Sequence, residues 1–168
     1  MNAESIKKYF QEMKLSNSIG HAYLFKNVIY DDIEHLIKEI SEICFFENSL
    51  LDFYNNPDIY IIEPEKNIIK KEKILELESQ ISKTSQINLN KLYIIKECEK
   101  LNSSAANSLL KTLEEPQNNV YAFLITSEIE MVIPTIKSRC QIINCEKFEN
   151  SIENEFKNKA LEYINMLE

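Results

Sequence analysis

The chain is 168 residues long and 44% hydrophobic, enough for one domain that buries about two thirds of its unfolded surface. Its net charge of −8 argues against a direct grip on nucleic acid, whose phosphates call for a basic face, and no apolar run approaches the ~20 residues that span a bilayer. A single glycine, Gly20, excludes the phosphate-cradling Gly-x-x-x-x-Gly-Lys-Ser/Thr loop and the three-glycine dinucleotide fingerprint, because both need glycines where backbone curls against phosphate.

The first residues, Met1 to Lys8, lack the apolar core of a signal peptide, so a cytoplasmic protein with no membrane partner is expected. Residues 2 to 14 read as an amphipathic helix with Ile6, Tyr9, Phe10 and Met13 on one side. His21 to Phe25 is the first strand, with His21 as a hydrogen-bonded structural residue at its entry. A helix over about 31 to 46 follows, with Asp31 and Glu34 as a capping-box pair and Ile33, Leu36, Ile37, Ile40 and Ile43 facing inward. Phe45 to Asn56 is an ordinary connection. Ile59 to Ile62 is the second strand, closed off by Glu63-Pro64-Glu65. Lys66, Lys70, Lys71 and Lys73 alternate with Glu63, Glu65 and Glu72, the pattern of a solvated charged face. A helix from Lys70 or Lys71 to about Ser82 turns Ile74, Leu77 and Ile81 inward.

Leu92 to Ile95 is the third strand. Asn102 or Ser103 then caps a helix whose stripe is Ala105, Ala106, Leu109, Leu110 and Leu113, with Asn107, Lys111, Glu114 and Glu115 opposite. Pro116 ends it. Val120 to Ile125 is the fourth strand, so the centre of the chain is strand, helix, strand, the unit of a parallel sheet. A short helical stretch interrupted at Pro134 covers Ile129 to Ile136, and Gln141 to Cys145 is a fifth strand. A last helix is expected over 151–167. Cys44, Cys98, Cys140 and Cys145 have none of the paired spacings of a zinc site and are read as free thiols. No metal and no cofactor are expected.

The block Ala105-Ala106-Asn107-Ser108-Leu109-Leu110-Lys111-Thr112-Leu113-Glu114-Glu115-Pro116, a strand ending in Thr126, and then Ser138-Arg139-Cys140 resembles the clamp-loader branch of the AAA+ ATPases, and within it the delta-prime and gamma/tau subunits of bacterial DNA polymerase III. The resemblance implies a three-layer RecA-like AAA+ core, α/β with about five parallel strands, over residues 1–148. Residues 149–168 would then begin a helical lid, so that only the first domain of a typical subunit is covered.

The departures from this family's pattern are as informative as the matches. In active relatives the first strand leads into the phosphate loop. Here the same place holds Lys26-Asn27-Val28-Ile29-Tyr30-Asp31-Asp32, and carboxylates there would repel a phosphate by up to ~4 kcal/mol per close pair. In active relatives the third strand ends in an acidic pair that holds magnesium and orients water; here it ends Lys96-Glu97, with a cation where the metal belongs. The zinc module that usually follows the second helix is reduced to Cys44. The residue that would sense the terminal phosphate, Thr126, is expected only to satisfy backbone groups.

Arg139 is the only arginine beside eighteen lysines, and its planar, always-charged fork suits bidentate contact with phosphate. In the resembled family the Ser-Arg-Cys arginine reaches the ATP site of a neighbouring subunit. The expectation is therefore a non-catalytic clamp-loader subunit of the delta-prime kind. It would donate Arg139 as a finger in trans, with Ser138 and Cys140 positioning it. Its partners would be a gamma/tau-type ATPase and delta, with the sliding clamp and primed DNA reached only through the assembly. One alternative is a degenerate adaptor in which Arg139 merely forms an ion pair. Another is an ATP-independent enzyme using the strand-end cleft, but no converging nucleophile, base or metal cluster is legible there.

Overall fold

The computed structural model describes residues 1–28, 30–46, 52–85 and 87–146; the helix expected over 151–167 lies outside them. Five strands form one sheet: β1 (Ala22–Lys26), β2 (Ile59–Ile62), β3 (Lys91–Ile95), β4 (Val120–Thr126) and β5 (Gln141–Asn144). They pair in the order β2-β3-β4-β1-β5, every pair parallel. The helices are α1 (Ala3–Leu15), α2 (Tyr30–Cys44), α3 (Lys71–Ile81), α4 (Ser103–Glu114) and α5 (Pro134–Lys137).

Because successive strand residues face opposite ways, the central strands must be apolar throughout to serve two cores. Leu24, Tyr93, Ile95, Ala122 and Leu124 pack under α3, α4 and α5. Tyr23, Phe25, Leu92, Ile94, Phe123 and Ile125 pack on the other face with Ile6 and Phe10 of α1 and Ile33, Leu36, Ile37 and Ile40 of α2. The result is three layers, as the family resemblance implied. Asn2 caps α1, its Oδ1 accepting from the Ser5 amide at 2.9 Å, and Asn102 caps α4 by accepting from the Ala105 amide at 2.8 Å.

Three expectations are corrected. Glu34 does not close a capping box: its carboxylate engages Lys96 and the Tyr54 hydroxyl, and α2 already starts at Tyr30. The Asp31 carboxylate, the other half of that pair, lies outside the described side chains. Pro134 does not interrupt a helix but opens α5, where its fixed φ and missing N–H cost nothing. β3 begins one residue early, at Lys91.

That lysine is buried, 3% exposed, and its amine donates to the carbonyls of Gln80 and Ile81 at 3.1 Å and to that of Lys83. It supplies donors and positive charge at the end of α3, where the Gln80 carbonyl also accepts from the Lys83 amide at 3.3 Å. Lys91→Met keeps the stem but removes the three donors of the amine, so a loss of about 1–2 kcal/mol in urea unfolding is expected.

Candidate functional site

A parallel sheet has two distinct ends, and here they carry opposite chemistry. At the carboxyl ends of the strands, where open α/β sheets ordinarily bind ligands, Lys96 follows β3, Glu63 follows β2 and Glu34 sits one turn into α2. The Lys96 amine bridges the two carboxylates, paired with Glu34 and 2.5 Å from Glu63, while its side chain is only 16% exposed. The Tyr54 hydroxyl donates to the other Glu34 oxygen at 3.3 Å. Burial pulls the Lys96 pKa down, but its hydrogen bonds to the two carboxylates more than offset that and the net shift is upward. Lys96, in turn, holds Glu34 below the usual carboxylate value, chiefly through the hydrogen bond between them.

An ammonium thus fills the space between two carboxylates at the strand ends, and a divalent cation would have to displace it. Around this bridge, Asn27 takes a left-handed φ of 59° and its amide donates to Asn144 Oδ1 at 2.6 Å. Thr126 is buried and its Oγ1 accepts from the Glu128 amide at 3.0 Å, the backbone role expected of it.

Glu34 has a depressed pKa in the fold, so its contribution is present above the ordinary carboxylate value and lost as pH falls through the lower, folded one. Lys96→Met is expected to cost about 1–2 kcal/mol at neutral pH, discounted because Glu34 is partly exposed. That difference should close as acid unfolding is followed below pH 4.5, the unperturbed value.

Arg139 lies at the opposite end. It precedes Gln141, which pairs with Tyr23 near the start of β1, and it meets Glu114 at the C-terminus of α4. The neighbouring Leu113 carbonyl is 3.2 Å from His21 Nε2, just before β1, the structural role expected of that histidine. The length of β1, roughly 15 Å at ~3.3 Å per residue, therefore separates the guanidinium from the Lys96 bridge. Nη1 donates to the Thr135 carbonyl at 2.9 Å and to Ser138 Oγ at 3.3 Å, and Nη2 to a Glu114 carboxylate oxygen. The Arg139 side chain is 32% exposed, so the fork is neither sealed in the core nor free of partners. Ser138 touches it directly. Cys140 instead packs against the core, where burial raises its thiol pKa to about 12 and keeps it protonated and unreactive.

The family described as DNA polymerase III, delta subunit, matches residues 2–149. The chain belongs to that family. The delta-prime subunit of DNA polymerase III from Bacillus subtilis is 43% identical over 89 residues, which are 53% of this chain and 27% of that relative. The chain thus matches only 27% to 29% of the length of delta-prime relatives such as this one. Among solved structures, a gamma subunit-related protein of DNA polymerase III from Thermotoga maritima superposes with a TM-score of 0.69 at 23% identity, over 88% of this chain and 46% of its own. A DNA clamp loader delta protein from Bacillus subtilis does so with a TM-score of 0.58 at 9% identity, over 83% of this chain and 42% of its own. These likenesses show that the chain shares the three-layer α/β fold of those proteins.

Within this delta-subunit fold, the structure brings Arg139 and Ser138 together, leaves Cys140 turned inward, and adds two features that sequence reasoning missed. Glu114 was assigned only to the polar side of its helix, and Lys96 was seen only as a misplaced cation. For Lys96 a signal did exist: Glu63 also follows an apolar strand run, and neighbouring strand ends lie side by side. Among the described residues no group of three or more His, Cys, Asp or Glu could hold a metal ion, and no helix is long and apolar enough to cross a membrane.

Proposed function

We propose that this chain is a clamp-loader subunit that does not hydrolyse ATP itself and presents Arg139 to the ATP bound by an adjoining gamma/tau-type subunit. The observation that carries the reading is the separation of charges along the sheet. The strand-end position that would serve nucleotide in cis holds the Lys96 ammonium between two carboxylates, while the only arginine stands a strand's length away. From there the guanidinium cannot reach the chain's own strand-end cleft, and its side chain, 32% exposed, is open to another molecule.

In that role the residues divide the work simply. Thr135 and Ser138 hold one side of the guanidinium, so the fork is oriented before a phosphate arrives. The remaining donors stabilise charge developing on the transferred phosphoryl group, and a fixed donor needs no reorganisation at the moment of reaction. Delta would be a further partner, and the sliding clamp and primed DNA would be reached through the assembly, since an acidic chain makes a poor DNA surface.

One observation favours a second reading. The ion pair of Arg139 with Glu114 is what a purely structural adaptor would display. Alanine at Arg139, assayed for ATP turnover in the reconstituted assembly, separates the two: an adaptor keeps full turnover and a finger donor loses it at one site.

A further inference from the structure

We infer that Glu114 is a resident stand-in for the incoming phosphate: a carboxylate that holds Arg139 Nη2 until a neighbour's polyphosphate takes its place. The inference rests on the finger reading above and adds a positioning residue to it.

The two sides of the guanidinium are anchored differently. Nη1 is tied to its own helix end, through the Thr135 carbonyl and the Ser138 hydroxyl, by contacts that stay when anything approaches from outside. Nη2 has Glu114, and that partner is 47% exposed on the last residue of α4. An exposed carboxylate–guanidinium pair is weak in water, because both charges lose hydration that the pair barely returns. A polyphosphate carries more charge and presents several oxygens to the planar fork, so it competes well for the same donor. The exchange needs no unfolding: Nη2 trades one oxygen for another while Nη1 acts as the pivot. Until then Glu114 keeps the fork from pairing with stray anions and holds it near its working orientation. The cost is that only a fraction of the guanidinium is available at any moment.

Because Arg139 is the chain's only arginine, labelling arginine with ¹³C and ¹⁵N yields a single guanidinium signal. In the free chain, Glu114→Gln should shift that signal and speed rotation of the fork, while thermal stability stays unchanged. Titrating inorganic tripolyphosphate should move the signal at lower concentration in the variant than in the wild type, by up to about fivefold, the most that an exposed pair is worth. In the reconstituted assembly, Glu114→Gln should raise turnover at the adjoining site by up to the same factor, whereas Arg139→Ala lowers it.

An Arg139 signal unaltered by Glu114→Gln overturns the proposal, because the carboxylate is then not holding the fork. So does turnover that is unchanged or reduced in Glu114→Gln while Arg139→Ala still abolishes it; that pattern keeps the finger and removes the stand-in. Turnover indifferent to Arg139→Ala removes the finger reading itself, and the stand-in with it.

Discussion

Alanine in place of Arg139 is expected to slow ATP turnover at the single site it serves by ~10³–10⁵-fold, the usual worth of an arginine finger and the equivalent of about 4–7 kcal/mol of barrier. In an assembly with several ATP sites the total falls only by that site's share, so single-turnover measurement with the other sites inactivated is the sensitive form. Arg139→Lys should rescue little. It restores the charge but not the fork, and the fork is what Thr135, Ser138 and Glu114 engage. Folding should barely change in either variant, because the pair lost is partly exposed. A large drop in melting temperature with unaltered turnover would mean that Arg139 is structural and the adaptor reading holds.

The second large effect concerns the scaffold. Asp58 is fully buried just before β2, and one of its oxygens accepts from the amides of Ile87 and Asn88 at 3.0 and 2.8 Å and from the Asn88 side chain at 3.1 Å. Asn56 joins in, accepting from the Asp58 amide and from Asn88. This cluster ties the loop entering β3 to the start of β2 and so fixes the register of the sheet edge that ends in Glu63 and Lys96. Asp58→Ala leaves the Ile87 and Asn88 amides and the Asn88 side chain, all part-buried donors, without this acceptor. A loss of about 2–4 kcal/mol is expected, on the order of 10 °C in melting temperature for a chain of this size. A change under ~1 kcal/mol would show that water or a shifted loop satisfies those amides instead.

The sequence was most readable where one force dominates. Strands such as Leu92 to Ile95 and Val120 to Ile125 are buried on both faces, so an unbroken apolar run had little alternative to a parallel sheet. The α4 stripe was equally plain, and its cap was narrowed to Asn102 or Ser103, of which the structure uses Asn102. What stayed hidden is polar chemistry between residues far apart in sequence. Nothing local in Asn56-Pro57-Asp58 reveals that Asp58 collects amides from residues 87 and 88. Glu34 looked like half of a capping box because the local pattern fits one; a stronger charged partner, Lys96, won the carboxylate from across the sheet. Lys91 stands one residue outside the strand read from Leu92, yet it is buried and its amine reaches the end of α3. Arg139 could be singled out by its rarity, but its pairing with Glu114 depends on α4 and α5 ending at the same edge of the sheet.

The central claim is that nucleotide chemistry belongs to a neighbour and only the guanidinium belongs here. Calorimetric titration with magnesium ATP tests it most directly, first into this chain alone, then into its complex with a gamma/tau-type partner, each with and without Arg139→Ala. The account predicts no binding heat from the chain alone, binding by the complex, and single-turnover hydrolysis in that complex that collapses when Arg139 is removed. Saturable binding by the isolated chain, weakened by substitutions at the Glu34–Lys96–Glu63 bridge, would contradict it.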